Sequence, residues 1–158
     1  MIETARLSLR LLEDEDRERL FELWSDPGNE RLLKPEPPEQ IRAWIDGVRW
    51  GVFERETGEL VGDCSLFFAE EHGEWELAYG LRRDVWGRGY ATEAARAAVA
   101  HGFGLHGLAR IVADVDPANV ASVRVLEKCG FVQVSGEPPK LLYAVTRSSG
   151  PAPPARGA

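Results

Sequence analysis

Gly87 and Gly89 stand two residues apart in the run Arg82-Arg83-Asp84-Val85-Trp86-Gly87-Arg88-Gly89-Tyr90-Ala91-Thr92, with Glu93 and an alanine-rich stretch directly behind. Residues without Cβ atoms let the backbone turn sharply and let an anion approach its N–H groups. The segment before the turn reads as a strand. The segment from Tyr90 reads as a helix, whose first amides lack partners and whose dipole places its positive end at the turn. Strand, glycine turn and helix start together make a candidate site for phosphate or pyrophosphate. Two nucleotide signatures do not fit. A G-x-x-x-x-G-K-[ST] loop needs Lys-Ser or Lys-Thr after its glycines, and G-x-G-x-x-G needs glycine where Thr92 stands. The dinucleotide fingerprint also opens its domain, whereas several strands precede this turn. The bland reading is a strand-to-helix turn with glycines for packing.

The elements that must position this turn follow from periodicity. Arg6 to Leu11 alternates apolar and polar residues, as a half-buried strand does. Asp14 to Ser25 is expected to be a helix with Leu20, Phe21, Leu23 and Trp24 on its apolar side, stopped by Pro27-Gly28. Residues 31–38, with Pro35, Pro37 and Pro38, read as a loop. Pro38 opens a second expected helix, with Ile41, Trp44, Ile45 and Val48 at helical spacing. Strands are expected at Trp50–Arg55, Leu60–Ala69 and Glu74–Leu81, joined by the turns Glu56-Thr57-Gly58-Glu59 and Glu70-Glu71-His72-Gly73. After the glycine turn come a helix from Tyr90 to Leu105, a strand at Arg110–Val115 and a short helix Val120–Cys129 closed by Gly130. Strands Phe131–Val134 and Leu141–Thr146, joined by Gly136-Glu137-Pro138-Pro139, complete the pattern. This order implies a mixed α/β sheet, antiparallel in its first half and covered by helices.

Composition narrows the class. At 158 residues and 44% hydrophobic content the chain suits one compact domain with an ordinary core. No apolar run is long enough to cross a bilayer, and the N-terminus lacks a secretory stretch. Cys64 and Cys129 lie far apart in apolar company and read as reduced core residues of a cytoplasmic protein. Neither has a histidine at metal-ligand spacing, so no metal is expected. A net charge of −7 speaks against a nucleic-acid surface and fits cationic partners. Ser148 to Ala158 is rich in Pro, Gly, Ser and Ala, cannot bury apolar surface and is expected to fray. His72, His101 and His106 read as turn or boundary residues, and Trp44 and Trp50 as core or pocket lining.

The order of elements, with Trp86-Gly87-Arg88-Gly89-Tyr90-Ala91-Thr92-Glu93, resembles the GNAT superfamily of acetyl-CoA-dependent N-acetyltransferases, and within it the branch of the ribosomal-protein N-terminal acetyltransferases. Thr4-Ala5-Arg6-Leu7-Ser8-Leu9-Arg10 is similar to that branch's opening strand, and Glu76-Leu77-Ala78-Tyr79 to its strand before the pyrophosphate loop. Asp116-Pro117-Ala118-Asn119-Val120-Ala121-Ser122, followed by Leu126-Glu127-Lys128-Cys129-Gly130-Phe131, is similar to its final motif. The likeness runs from Thr4 to Arg147. It implies a largely antiparallel sheet of about seven strands flanked by four helices and splayed in the middle to hold the cofactor. It implies residues 1–147 as a single acetyltransferase domain.

The resemblance also assigns roles. Acetyl-CoA is expected between the strand ending near Leu81 and the strand from Arg110, with pantetheine on the exposed strand edge. The loop residues Val85, Trp86, Gly87, Arg88, Gly89, Tyr90 and Ala91 are expected at the pyrophosphate, with a hydroxyl from Thr92 and a contact from Asn119 to the cofactor arm. Asp84 stands where the superfamily often has Arg or Gln, which leaves Arg88 as the side-chain contact. Asn119 also suits a helix N-cap. Acetyl transfer to an amine needs a base, an oxyanion donor and an acid for the thiolate. Glu76 is the candidate base, with Glu74 on the same face as substitute. A backbone N–H near Leu77 or Ala78 is the candidate oxyanion donor, and Ser122 the candidate acid. The implied partners are acetyl-CoA and a primary amine, on a peptide N-terminus or a small molecule, with no nucleic acid or membrane and with a monomer or homodimer at work. The alternative is a non-catalytic acyl-CoA-binding module of the same fold.

Overall fold

A computed structural model describes residues Met1–Asn29 and Gly47–Ser148. Its strands are β1 (Ile2–Glu3), β2 (Leu7–Leu11), β3 (Gly47–Glu54), β4 (Leu60–Ala69), β5 (Glu74–Leu81), β6 (Arg110–Val115), β7 (Val132–Glu137) and β8 (Lys140–Thr146). The helices among the described residues are α1 (Asp14–Ser25), α2 (Tyr90–Gly104) and α3 (Val120–Lys128). One eight-stranded sheet runs β1-β2-β3-β4-β5-β6-β8-β7. Every pairing is antiparallel except that of β5 with β6. The mixed α/β class is as expected, and the eighth strand is the two-residue β1.

Alternation explains the sheet. Leu7 and Leu9 of β2, Trp50 and Val52 of β3, Leu77 and Leu81 of β5, and Ile111, Ala113 and Val115 of β6 bury one face. Against that face lies α2, through Ala94, Ala95, Ala98 and Val99. Small side chains there bring the helix axis close to the strands. On the opposite face Leu20 and Trp24 of α1 pack on Leu12, Phe53 and Leu60. An N-terminal capping box, in which Asp16 accepts from the Glu13 amide, starts α1.

Two expectations need correction. Val48 was expected on the second helix but lies in β3 opposite Leu66, because the period-two series Val48, Trp50, Val52 pairs with β4. The rest of that helix, with Ile41, Trp44 and Ile45, lies outside the described residues, as do the 31–38 loop and residues 149–158 of the tail. The last hairpin turns on Pro138-Pro139 alone, because Gly136 and Glu137 stay in register with Leu141 and Lys140. Trp50 is buried in the core.

Leu77 is 2% exposed and sits under α2 where β5 meets β6. Leu77→Ala removes most of a buried side chain and leaves a cavity, so it is expected to lower stability by about 2–5 kcal/mol. Urea unfolding with an unchanged m-value checks this. A loss below about 1 kcal/mol would mean that the site collapses to fill the space.

Candidate active site

The glycine turn is built from its neighbours. A 3-10 turn at Arg83–Val85 follows β5 and uses the amides of Val85 and Trp86 on the carbonyls of Arg82 and Arg83. Gly87 and Gly89 then take φ of +78° and +80°, a left-handed conformation that other L-residues avoid. Among the described residues, the amides of Gly87, Arg88, Gly89, Tyr90, Ala91 and Thr92 donate to no acceptor. These six consecutive N–H groups at the N-terminus of α2 are open to an acceptor. The amides of Val85 and Trp86 are spent in the turn, which narrows the candidate donors.

A staple from the turn that leads into β2 holds the glycine turn in place. The Arg6 guanidinium donates to the Arg88 carbonyl at 2.7 Å and to Glu93 Oε2 at 2.8 Å. The Arg6 amide and the Thr4 hydroxyl donate to Glu93 Oε1 at 2.8 and 2.5 Å. Burial alone would raise the Glu93 carboxyl, but the Thr4 and Arg6 hydrogen bonds outweigh it and hold the group below its ordinary range. Arg88 extends its side chain to Glu54 at 3.5 Å, and the Tyr90 hydroxyl donates to the same carboxylate at 2.5 Å. Trp86 is largely exposed, its indole N–H donating to the Leu81 carbonyl at 2.7 Å. Val85 and Thr92 are buried.

The sheet parts beside this turn. Between β5 and β6 a single register pair, Glu76 with Val112, holds the strands together. The Arg82 amide bonds to Val61 of β4, so by alternation the main chains of Ala78 and Gly80 also face β4. The main chain of Tyr79 therefore faces the gap. Of the two expected oxyanion donors, the Ala78 amide is turned toward β4 and the Leu77 amide toward β6, while the amide open to the gap beyond the paired Glu76 segment is that of Tyr79.

Across the gap stands α3, whose N-cap Asn119 accepts from the Ser122 amide at 3.1 Å, as its position suggested. Ser122 Oγ lies 2.9 Å from the Tyr79 hydroxyl, which also donates to the Ser122 carbonyl at 3.2 Å. Burial pushes the Tyr79 phenol well above its ordinary range, against the Ser122 hydrogen bond. Sequence reasoning singled out Ser122 but missed Tyr79, whose partner lies 43 residues away.

On the opposite sheet face the carboxylates gather. Glu76 has a side chain 12% exposed, and its carboxyl is pushed up to about 7. Burial is the main cause and the Asp114 charge adds to it, with His72 pulling the other way. Glu74 is 30% exposed and paired with Arg110 at 3.1 Å, so the two glutamates that share a face sit in different environments. His72 Nε2 lies 3.1 Å from Asp114, 3.5 Å from Glu71 and 3.8 Å from Glu76. Lys140 of the last hairpin reaches Asp114 at 2.8 Å and Glu71 at 3.1 Å. Ligand-type atoms of Glu71, His72, Glu76 and Asp114 fall within 4.8 Å of one another, a set chemically able to take a cation, and the ammonium of Lys140 supplies one. His72, expected as a plain turn residue, is thus a half-buried partner of β6. His101 likewise packs edge-on to Trp50 at 5.1 Å.

An open groove of about 1120 Å³ runs between the N-terminal strand and α2, past Arg6, Gly89, Thr92, Arg96 and Lys128. It borders the glycine turn and does not reach Glu76 or Ser122.

Residues 6–132 match the family model described as an Acetyltransferase (GNAT) domain, and the chain belongs to that family. Membership supports N-acetyltransferase activity and implies acetyl-CoA as the donor. The uncharacterized N-acetyltransferase p20 of Bacillus licheniformis is 33% identical over 142 residues, 81% of this chain and 80% of its own. The FsC-acetyl coenzyme A-N(2)-transacetylase of Aspergillus fumigatus is 31% identical over 84% of this chain, which spans 65% of that relative. The crystal structure of a GNAT-family acetyltransferase from Bacillus anthracis superposes with a TM-score of 0.76 at 25% identity, over 92% of this chain and 97% of its own.

Gly89→Glu adds strain at a positive φ, brings a Cβ within 3.3 Å of Arg6 and sets a negative charge at the open amides. Coenzyme A affinity by calorimetry is expected to fall by about tenfold or more, or ~1.4 kcal/mol. Gly89→Asn, which tolerates this conformation, is expected to lose much less. Equal affinities in both variants and the parent would exclude the turn from binding.

Proposed function

We propose that the protein is an N-acetyltransferase that moves the acetyl group of acetyl-CoA to a primary amine by direct attack in a ternary complex. Residues 1–147 serve as its single catalytic domain. The observation that carries the reading is the position of Glu76, a largely buried carboxyl on the one β5 residue paired with β6, where the sheet opens. Acetyl-CoA supplies the activated acyl carbon. The open amides of Gly87 to Thr92 hold its pyrophosphate, the main chain of Tyr79 pairs with its amide-bearing arm, and Arg88 and Asn119 lie along the same path.

Glu76 takes the ammonium proton of the acceptor. A base with a pKa near the working pH combines a useful ionised fraction with real basicity, and burial has brought Glu76 to about 7. Glu74, ion-paired to Arg110, is the weaker candidate. The Ser122 and Tyr79 hydroxyls are hydrogen-bonded to each other on the far face of the gap, so the pair rather than Ser122 alone is placed to protonate the departing thiolate. Base and acid then flank the gap from opposite faces, and the amine and the thiol need not compete for one side.

The acceptor is a primary amine on a small molecule or an exposed peptide N-terminus. Glu71, Glu74, Glu76 and Asp114 give the acceptor side an acidic character, and the net charge of −7 draws ammonium groups over long range. The Aspergillus relative, named for acetyl transfer from coenzyme A to a nitrogen, supports the same donor and atom class. A panel of small amines and N-terminal peptides with acetyl-CoA, read by thiol release, tests this. Primary amines are expected to turn over, with kcat/KM falling as salt screens the field. Thiol release only with hydroxyl acceptors would overturn the acceptor class, and binding of acetyl-CoA without turnover on any acceptor would favour a sensing module.

Glu76→Gln is expected to retain coenzyme A binding and lower kcat by about 10²–10⁴-fold. The parent must lose the Glu76 proton to act, so its kcat/KM should rise with pH through about 7. The variant should lack that rise and recover part of its rate at high pH, where the amine deprotonates unaided. A parental rate near neutrality would move the role to Glu74 or to water.

A further inference from the structure

Two glycines of positive φ flank Arg88, and their freedom works against a fixed set of donors. A trans peptide is a rigid plane whose C=O and N–H point in opposite directions. Rotation of the Arg88–Gly89 plane would replace the open Gly89 N–H by a carbonyl oxygen and turn a partial negative charge toward a bound phosphate. Glycine offers little steric resistance to that rotation. Resting on the pyrophosphate reading above, we propose that Arg6 is a positioning residue of the donor site. It locks the Arg88–Gly89 peptide so that the N–H, not the carbonyl, is presented to the pyrophosphate.

Arg6 is itself held on every side. Its carbonyl accepts from the Arg55 amide at 2.9 Å, and the carbonyl of Thr4 accepts from the Arg55 guanidinium at 2.7 Å, which ties this segment to the end of β3. Its Nε and Nη2 both lie 2.8 Å from Glu93 Oε2. The remaining nitrogen, Nη1, donates to the Arg88 carbonyl at 2.7 Å. The guanidinium also lies 4.7 Å from the centre of the Tyr90 ring, whose hydroxyl is fixed to Glu54. A planar fork can make these bonds together, and an ammonium cannot. The Arg88 carbonyl is thereby fastened to the sheet, and the Gly89 N–H of the same plane points away from Arg6. A cationic donor on the carbonyl also polarises the peptide and strengthens its N–H as a donor in turn.

The same side chain answers a second difficulty. Glu93 stands in the first turn of α2, close to the open amides, where a free carboxylate would repel a phosphate. Arg6 pairs with that charge on the spot. A purely stabilising role explains the arrangement poorly, because the Arg6 side chain is 48% exposed and ion pairs so placed contribute little to stability. What the contacts fix is the direction of one peptide plane and the sign of the charge beside it.

The test uses the full chain, the fastest primary amine of the panel and two donors with the same thioester: acetyl-CoA, and S-acetyl-pantetheine, which lacks the phosphates. Arg6→Gln is expected to lower kcat/KM for acetyl-CoA by about tenfold or more, with KM carrying most of the loss. The loss with S-acetyl-pantetheine should be much smaller, so the preference for acetyl-CoA falls by a similar factor. Arg6→Lys keeps the charge without the fork and should lose most of that preference too. Amide NMR of the free protein gives a readout that needs no donor. The Gly89 resonance should be single and sharp in the parent, and broadened or doubled in Arg6→Gln as the plane rotates on the microsecond to millisecond scale. Equal losses with the two donors, parental kinetics in either variant, or a Gly89 resonance unaltered in Arg6→Gln would overturn the lock. A parent that uses S-acetyl-pantetheine as well as acetyl-CoA would overturn instead the placing of the pyrophosphate at the turn, so the two failures are read apart.

Discussion

The structure depends on one interrupted ladder. Strand β5 pairs with β4 along its whole length, and β6 pairs with β8 along its own, yet β5 and β6 share only the pair Glu76 with Val112. The sheet is therefore two half-sheets joined at a point. Unpaired strand edges away from water are costly unless another group satisfies them. Here the Leu81 carbonyl takes the Trp86 indole, and the Tyr79 hydroxyl ties β5 to Ser122 of α3. What spans the opening is α2, whose alanine face packs on strands of both half-sheets. The glycine turn lies at the end of β5 because β5 must leave the sheet there to become that helix.

A charge gradient runs along the same strand. At its C-terminal end stand unpartnered amides and the positive end of a helix dipole. At its N-terminal end stand Glu71, Glu74, Glu76 and, from β6, Asp114. In the proposed reaction this gradient draws a phosphate-bearing donor and an ammonium acceptor to opposite ends of the strand. Burial does the rest at Glu76: the desolvation that raises its carboxyl to about 7 is the cause of its basicity, and the Asp114 charge adds to it.

Much of this was legible in the sequence, for local reasons. The limits of β4, β5 and β6 match the expected strands, since glycine-bearing or acidic turns mark their ends. Gly87 and Gly89 were legible because turn chemistry is a property of a few adjacent residues. Val48 was misplaced because its spacing satisfies a helical period as well as a strand period, and only pairing with Leu66 decides between them. His72 looked like a turn residue because nothing in a sequence tells which strand a turn will meet, and Asp114 lies 42 residues on. Ser122 was found as a hydroxyl at a helix start, but its bond to Tyr79 depends on how α3 lies against β5. Chemistry held within one segment can be read from residue types, whereas chemistry assembled across the seam needs the fold.

That seam links the two halves of the site. His72 and Glu71 belong to the first half-sheet, while Asp114 and Lys140 belong to the second. The bonds from His72 to Asp114 and from Lys140 to Glu71 therefore clip the half-sheets together at the N-terminal end of β5. Further along, the main chain has no such clip, and Tyr79 crosses only by its side chain. The strands are consequently free to diverge in one direction, toward the glycine turn, and not in the other. The contacts that tune the Glu76 carboxyl are the same ones that close the narrow end of the opening. Loss of one charge there alters the Glu76 carboxyl and the closure of the narrow end together, because the same side chains serve both.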